Sequence, residues 1–276
     1  MENENPYIPF PAKVTDVTQE YSQIKTFTLR FENEDKQSEF TYDPGQFLQV
    51  TVQGVGEAPI SINSSPTCEG CFKLCIEKKG RVTSAMWDLE RGSRLFVRGP
   101  YGNGFPMDEI KGKDVLCIAG GIGLAPLRSA IDYLLDNREE HGDVQILYGD
   151  KTPECLLFDR IYPEWDEEFD LNIICEEGTG EWTGDEGMVT DLLDLVHLDP
   201  EESVVITCGP PIMYKFLIPE IQDIGFGNEQ IYVSLERRME CGLGKCRRCN
   251  VGDLFVCQDG PVFSFDEIED YFDKET

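Results

Sequence analysis

The sequence predicts an α+β multi-domain fold: an N-terminal antiparallel β-barrel or sandwich, a central α/β domain on a parallel sheet, and a small C-terminal loop segment. Three observations predict it. Up to about residue 108 the chain breaks into short alternating strands separated by Pro and Gly. The stretch 109–233 alternates apolar strands with helical segments. From 234 onward four cysteines crowd a segment too small for a core of its own. The domain boundaries are therefore read as 1–108, 109–233 and 234–276 within a chain of 276 residues, which can bury one to three compact units.

In the first unit "KTFTLRF" and "GQFLQVTV" alternate, "CFKLCIE" and "RLFVRGP" follow, and turn residues lie between them, the texture of a small antiparallel barrel or sandwich. After "RGPYGNGFPMDEIKGK" the texture changes. "DVLCIAGG" is a continuous apolar strand ending in glycines, and "LAPLRSAIDYLLDN" has helical periodicity. "DVQILYGD", a helical "ECLLFDRIYPEW", "FDLNIICEE", a helical "MVTDLLDLV", "SVVITCGP", "PIMYKFLIPEIQDIG" and "QIYVSLE" continue the alternation. Strands apolar on both sides and separated by helices predict a parallel sheet covered on both faces. The last unit needs an external means of holding it together.

Composition narrows the function. Apolar content of 40% and aromatic content of 11% belong to a folded globular protein, and a formal charge of −29 repels phosphate backbones and anionic lipid surfaces. Nucleic acid is thus excluded as a partner, as is membrane insertion, since no apolar run reaches spanning length. "MENENPYIPF" has neither the basic nor the apolar region of a signal peptide, so the expected compartment is the cytoplasm.

In a reducing compartment clustered thiols are metal ligands or redox groups, and eleven cysteines could not all pair as disulfides. Cys117, Cys175 and Cys208 sit in apolar strand-like runs, where cysteine is a small buried hydrophobe; the C-x2-C-x3-C trio Cys68, Cys71 and Cys75 is read as incidental. Cys241, Cys246, Cys249 and Cys257 are different, being spaced C-x4-C-x2-C-x7-C. The first three follow the plant-type run of a [2Fe-2S] cluster with a later fourth ligand. Gly242 and Gly244 supply the backbone freedom for a tight loop round the sulfurs. A four-cysteine zinc site competes, although such sites usually carry two C-x2-C pairs and only one is present. Arg237, Arg238, Arg247 and Arg248 flank the loop, either as partner contacts or to neutralise the cluster.

Upstream, "CIAGGIGLAPLRS" places Gly120, Gly121 and Gly123 at a strand-to-helix turn, where backbone can approach a pyrophosphate and the helix N-terminus offers free amides. The strand "VVITCGPPIM" ends in Cys208, Gly209 and Pro210. Both strand ends face the carboxyl edge of the sheet, where open α/β sheets bind ligands.

The ordered motifs "DPGQFLQV", "APISINSSP", "GRVTSAMWDLERGSRLFVRGPYGNGF", "CIAGGIGLAPLRS", "LYGDKT" and "CGPPIMYK" resemble the ferredoxin-NADP reductase superfamily over almost the whole chain. With "CGLGKCRRCNVGDLFVCQDGPVF" the resemblance narrows to a branch of iron–sulfur electron-transfer subunits. This branch includes those of dihydroorotate dehydrogenase, the gamma subunits of soluble sulfhydrogenases, and the corresponding subunit of anaerobic sulfite reductase. The resemblance implies an FAD-binding β-barrel, a nicotinamide-binding α/β domain and a C-terminal [2Fe-2S] segment, so the implied cofactors are FAD, [2Fe-2S] and NAD(P)H.

Carried over to this chain, Ala58 to Ser61 occupy the R-x-Y-S flavin motif. Pro59, Ile60, Ser61 and Ile62 would line the flavin, with Ile60 and Ile62 in the ring pocket. Ala58 stands where the family has an arginine for the flavin phosphates, and Ile60 where it has an aromatic residue. Arg81 and the amides of Gly80, Arg81, Val82, Thr83 and Ser84 are the expected substitutes. Cys208 would approach the hydride-bearing ring carbon of the nicotinamide. Hydride chemistry belongs to the cofactors, so no catalytic acid or base is expected. The flavin would pass electrons singly through the cluster to a separate catalytic subunit or a ferredoxin-like carrier. The motif "RRMECGLGKCRRC" resembles the sulfite-reductase and sulfhydrogenase subunits more than the dihydroorotate branch, so a sulfite-reductase-like or hydrogenase-like partner is the expectation. Asp150 and Lys151, after the second strand of the central unit, suit a free ribose hydroxyl and a 2′-phosphate respectively, with a slight lean to NADH.

Overall fold

A computed structural model describes residues 5–275. The first strands are β1 (Phe10–Tyr21), β2 (Ile24–Phe31), β3 (Phe47–Val52), β4 (Gly56–Ser61), β5 (Phe72–Glu77) and β6 (Arg94–Tyr101), with short helices α1 (Glu34–Glu39) and α2 (Arg81–Trp87) between them. They form an antiparallel sheet in the order β4-β3-β6-β1-β2-β5, and an isolated Ile62–Leu74 bridge joins the outer strands, so the sheet closes into a barrel. Alternation fills it: Ala12, Val14, Phe27, Leu29, Leu48, Val50, Ile62, Phe72, Leu74 and Val97 point inward and are buried.

The second sheet comprises β7 (Asp114–Gly120), β8 (Val144–Asp150), β9 (Asp170–Cys175), β10 (Asp185–Glu186), β11 (Ser203–Cys208) and β12 (Ile231–Ser234), connected by α3 (Leu124–Asp136), α4 (Tyr162–Glu168) and α5 (Pro211–Ile224). The strand order is β10-β9-β8-β7-β11-β12, parallel throughout. Successive residues serve opposite faces. Val115, Cys117, Ala119, Ile146, Tyr148, Val204 and Ile206 pack toward α3 and α4. Leu116, Ile118, Leu147, Val205, Ile231 and Val233 pack toward α5. That two-sided burial is why the strands read as continuous apolar runs.

Two segments expected to be helical differ. "ECLLFDRIYPEW" becomes two 3₁₀ turns before α4, because Pro153 opens the first and Phe158 adopts a left-handed conformation, φ 63°, ahead of the second. "MVTDLLDLV" is a 3₁₀ helix, Val189–Leu195, started by the Asp191 carboxylate accepting the Met188 amide at 2.7 Å.

The C-terminal segment borrows its core. It contains the hairpin β13 (Asn250–Val251) and β14 (Leu254–Phe255), then β15 (Val262–Ser264) and α6 (Phe265–Glu275). β15 adds antiparallel to β12 as the edge of the central sheet. Cys249, Val251, Val256, Cys257, Phe263, Phe265 and Ile268 are buried in the same apolar cluster as α5, together with Phe47 of the barrel. Barrel and central unit are joined as well: the Ser129 hydroxyl on α3 donates to the Ser64 carbonyl at 2.6 Å, and Arg160 pairs with Glu20 through both guanidinium nitrogens.

Candidate functional site

All three segments meet at one cleft with two adjoining lobes. The first, about 280 Å³, is lined by Pro59, Ile60 and Ser61 of β4, Thr83 of α2, Ile122 and Ala125 above β7, Cys208, and Met239, Val256 and Pro261 from the C-terminal segment. The second, about 620 Å³, is lined by Gly120, Gly121, Gly123, Asp150, Lys151, Cys208, Gly209 and Pro210. Glu77, Lys79, Ile122, Cys208, Ser234, Leu235, Glu236 and Arg237 border both. Cys208 therefore stands where the lobes join.

The nucleotide lobe is shaped by close approach. A Cβ on Gly123 would fall inside van der Waals contact of the Cys208 carbonyl, and one on Gly209 would strike Met213. The turn after β7 and the end of β11 can thus converge only because these positions lack side chains. At the rim, the Asp150 carboxylate accepts from the Tyr148 hydroxyl at 2.9 Å and the Lys151 amide at 2.8 Å. Burial outweighs those bonds and raises its pKa. Burial likewise pushes the Cys208 thiol up to about 12, so it meets the cleft as a neutral S–H facing the Ser234 carbonyl at 3.8 Å. Glu236 opens onto both lobes, and desolvation by the surrounding walls raises its carboxyl.

On the barrel side the expected residues divide. Pro59, Ile60, Ser61 and Thr83 face the first lobe, whereas Ile62 is fully buried in the barrel core against Leu74, away from the lobe. The Lys79 and Gly80 amides are already taken by the Thr83 hydroxyl, at 3.2 and 2.9 Å, and the Ser84 amide by the Gly80 carbonyl at 2.8 Å. Donation from this turn falls to the Arg81, Val82 and Thr83 amides, which have no intrahelical acceptor in the first turn of a helix. The Arg81 guanidinium folds over the β3–β4 hairpin onto the Val55 carbonyl, beside Gly56 and three residues before Ala58.

The cysteine loop is organised around its sulfurs. The Leu243 amide donates to Cys241 Sγ at 3.3 Å, the Cys246 amide to the same sulfur at 3.4 Å, and the Gly244 amide to Cys257 Sγ at 3.0 Å. Burial opposes ionisation of Cys241, but the Cys246, Leu243 and Lys245 amides together with the Cys246 side chain outweigh it and bring the thiol to about 7. Gly242 and Gly244 sit in the left-handed region at φ 70° and 69°, which lets consecutive amides point inward. Cys241 neighbours Cys246, Cys257 neighbours Cys249, and Cys241 also acts on Cys257, so the four sulfurs lie within one loop cluster. Among the described residues no three such side chains converge on a single ion. Two thiolates per iron on a two-iron centre fit this arrangement. Nearby, Gln49 is buried with its Nε2 unpartnered, against the bare Cα side of Gly242.

Sequence reasoning missed how barrel and loop are joined. Arg98 of β6 is 6% exposed; it pairs with Glu57 through two nitrogens, donates to the Cys241 carbonyl at 2.7 Å and reaches the Tyr101 hydroxyl at 3.3 Å. Alternation puts Arg98 on the outer face of the barrel, one position after the inward Val97 and opposite Gln49, so no local pattern announced its burial under the cysteine loop. It also missed Glu77, Lys79 and residues 234–236, which carry no motif, and it set Arg237 beside the cysteine loop without its place at the cleft.

Comparison with known proteins adds three domain matches in order: an oxidoreductase FAD-binding domain over residues 11–105, an oxidoreductase NAD-binding domain over 117–218, and the iron–sulfur cluster binding domain of dihydroorotate dehydrogenase B over 236–269. The chain is 43% identical to sulfhydrogenase 1 subunit gamma of Pyrococcus furiosus, covering 97% of this chain and 94% of that protein. It is 32% identical to a probable dihydroorotate dehydrogenase B (NAD(+)) electron transfer subunit of Thermoplasma acidophilum, covering 92% and 89%. Among solved structures, one of an NADH-dependent reduced ferredoxin-NADP oxidoreductase superposes with a TM-score of 0.74 at 22% identity, over 99% of this chain and 95% of that one; it shows a shared fold.

Proposed function

This chain belongs to the ferredoxin-NADP reductase superfamily, in the branch of iron–sulfur electron-transfer subunits that includes the sulfhydrogenase gamma subunits, and on that premise we propose that it draws on NADH and serves a hydrogenase-like catalytic subunit. As a flavin-dependent NAD(P)H oxidoreductase it binds FAD, which takes hydride from the nicotinamide, and an iron–sulfur centre, which carries the electrons singly to a separate subunit.

One observation carries the reading: Ser61 of the barrel, Cys208 of the central sheet and Val256, the neighbour of Cys257, line the same lobe. The residues' work is positional. Pro59, Ile60 and Ser61 form one wall for the flavin ring, with Ile76, Ile122 and Ala125 keeping water from it. Arg81 and the first-turn amides of α2 take the flavin phosphates in place of the absent arginine at Ala58. Gly120, Gly121, Gly123, Gly209 and Pro210 admit the pyrophosphate and nicotinamide, and Cys208, neutral, packs at the join without contributing charge. Asp150, presented at the rim by Tyr148 and the Lys151 amide, accepts ribose hydroxyls, which supports NADH. Cys241, Cys246, Cys249 and Cys257 are the cluster ligands, and Cys246, the exposed one, marks the exit. The higher identity to the sulfhydrogenase gamma subunit, 43% against 32%, favours a hydrogenase-like partner over a dihydroorotate one. Because clusters of unpaired thiols are typical of a reducing compartment, we place the protein in the cytoplasm. No helix among the described residues is long and apolar enough to cross a membrane.

Anoxic purification tests this. Oxidised-flavin bands, about two iron atoms per chain and bleaching by NADH faster than by NADPH are expected. Zinc without iron, or no flavin, would overturn it. Co-purification of a stoichiometric catalytic subunit from the native source is expected; a free monomer that reduces ferredoxin unaided would point to a stand-alone reductase instead.

A further inference from the structure

The loop between β4 and β5 carries the sequence Cys68-Glu69-Gly70-Cys71. The chain turns there: the Cys68 amide donates to the Ser65 carbonyl at 3.1 Å, and Gly70, at φ +72° with open space where a Cβ would be, lets the strand double back. The two sulfurs meet at 2.7 Å. Cys75, which the sequence groups with them, is buried in the central core beside Thr26, so the structure contains a pair and not a trio. Both thiols are half-buried on the wall of an open cavity of about 390 Å³, shared with Arg30, Gln37, Ser38 and Tyr42. This cavity shares no residue with the nucleotide cleft.

We propose that Cys68 and Cys71 form a redox-active dithiol that exchanges with a small disulfide bound in this cavity, a second redox site outside the flavin-to-cluster path. Cys71 is the attacking sulfur. Its thiol falls to about 6, chiefly through the hydrogen bond from Cys68, with burial opposing and Lys73 assisting. The Cys71 thiolate attacks one sulfur of the substrate disulfide, forming a mixed disulfide and expelling the first thiolate. Cys68, already in contact, then attacks Cys71 Sγ, closes the intramolecular disulfide and expels the second. The two protein thiols lose two electrons and two protons, and the substrate disulfide gains both as two thiols. The loop also reaches α3, whose N-terminus carries the glycine turn of the nucleotide lobe: Thr67 bonds Asp136, and the Ser64 carbonyl accepts from Ser129 at 2.6 Å.

The test uses the reduced holo-protein under anoxia, with oxidised glutathione as the probe, followed by acid quenching, alkylation with iodoacetamide and trypsin. Cleavage after Lys36 and Lys73 releases a peptide whose only cysteines are Cys68 and Cys71, while Cys75 falls on the next peptide, Leu74–Lys78. The expected result is joint loss of both alkyl groups from the 37–73 peptide, reversed by dithiothreitol, with Cys75 alkylated throughout. Cys68→Ser should trap a glutathione adduct on Cys71, and Cys71→Ser one on Cys68, because each variant keeps one thiol and lacks the one that resolves the mixed disulfide. A wild-type peptide still doubly alkylated at the oxidising end, or a wild-type adduct that stays on a single thiol, would overturn the proposal.

Discussion

Arg98 carries more structure than any motif residue does, since one buried guanidinium holds Glu57, Tyr101 and the Cys241 carbonyl together. Removing it leaves Glu57 uncompensated and the loop carbonyl without a donor. Arg98→Leu should cost about 3 kcal/mol, measured as a fall in the denaturant midpoint. Glu57→Gln should cost less, because Glu57 is 26% exposed and water replaces part of the lost pair. Equal costs would refute the reading. Thiol reactivity separates two other residues. A thiolate appears as pH rises through the thiol's pKa, so alkylation of Cys71, at about 6, should level off by neutral pH, while Cys208, at about 12, stays unreactive there. In Cys68→Ser the Cys71 profile should move toward the ordinary 9.0, because the Cys68 hydrogen bond is the largest cause of the shift. An unchanged profile would exclude that cause. Of the residues, the cysteine spacing and glycine turns were legible in the sequence. Arg98 and Glu236 were not, because the groups they face, Glu57 and the Cys241 carbonyl for the one and Lys79 for the other, lie tens of residues away or more.

At the scale of elements, the junction of β7, α3 and β11 decides nucleotide binding. Gly123→Ala would drive a methyl into the Cys208 carbonyl, and the two strand ends must separate to accept it. A shift of about 1 Å at a binding site costs on the order of a hundredfold. NADH-dependent flavin reduction, followed by stopped flow, should fall by about that factor while flavin content is retained; near-normal rates would show that the turn does not hold the nucleotide. Elements were legible where burial follows a period. The central strands are buried on both faces and read as apolar runs. β1 was not read, although it spans 12 residues, because breaks in register at Val14/Asp16 and Gln19/Tyr21 scramble its alternation. Val189–Leu195 has a helical pattern, yet a short apolar repeat cannot distinguish 3₁₀ from α geometry.

For the whole molecule, the dependence of the C-terminal segment on the central sheet predicts that it cannot be removed. Phe263, Phe265 and Ile268 are each buried in the shared core. At about 1.5–3 kcal/mol per buried side chain, their loss together with the β15 edge approaches the 5–15 kcal/mol that stabilises a typical domain. A chain ending at residue 234 should therefore aggregate or lose its cooperative unfolding transition, assayed by size-exclusion chromatography and calorimetry. A soluble, flavin-loaded truncation with an unchanged transition would show the segment to be an independent appendage.

By itself the sequence determined the order of the units, the four clustered thiols and the two glycine-bearing strand ends, because each of these is written in local spacing. Only the tertiary structure decided that Ile62 turns into the barrel while Ile60 faces the cleft, that β15 completes the central sheet, and that Cys68 and Cys71 pair without Cys75. The reason is physical: local spacing sets which conformations a few residues can adopt, whereas burial and sulfur-to-sulfur contact depend on what distant parts of the chain bring to the same place.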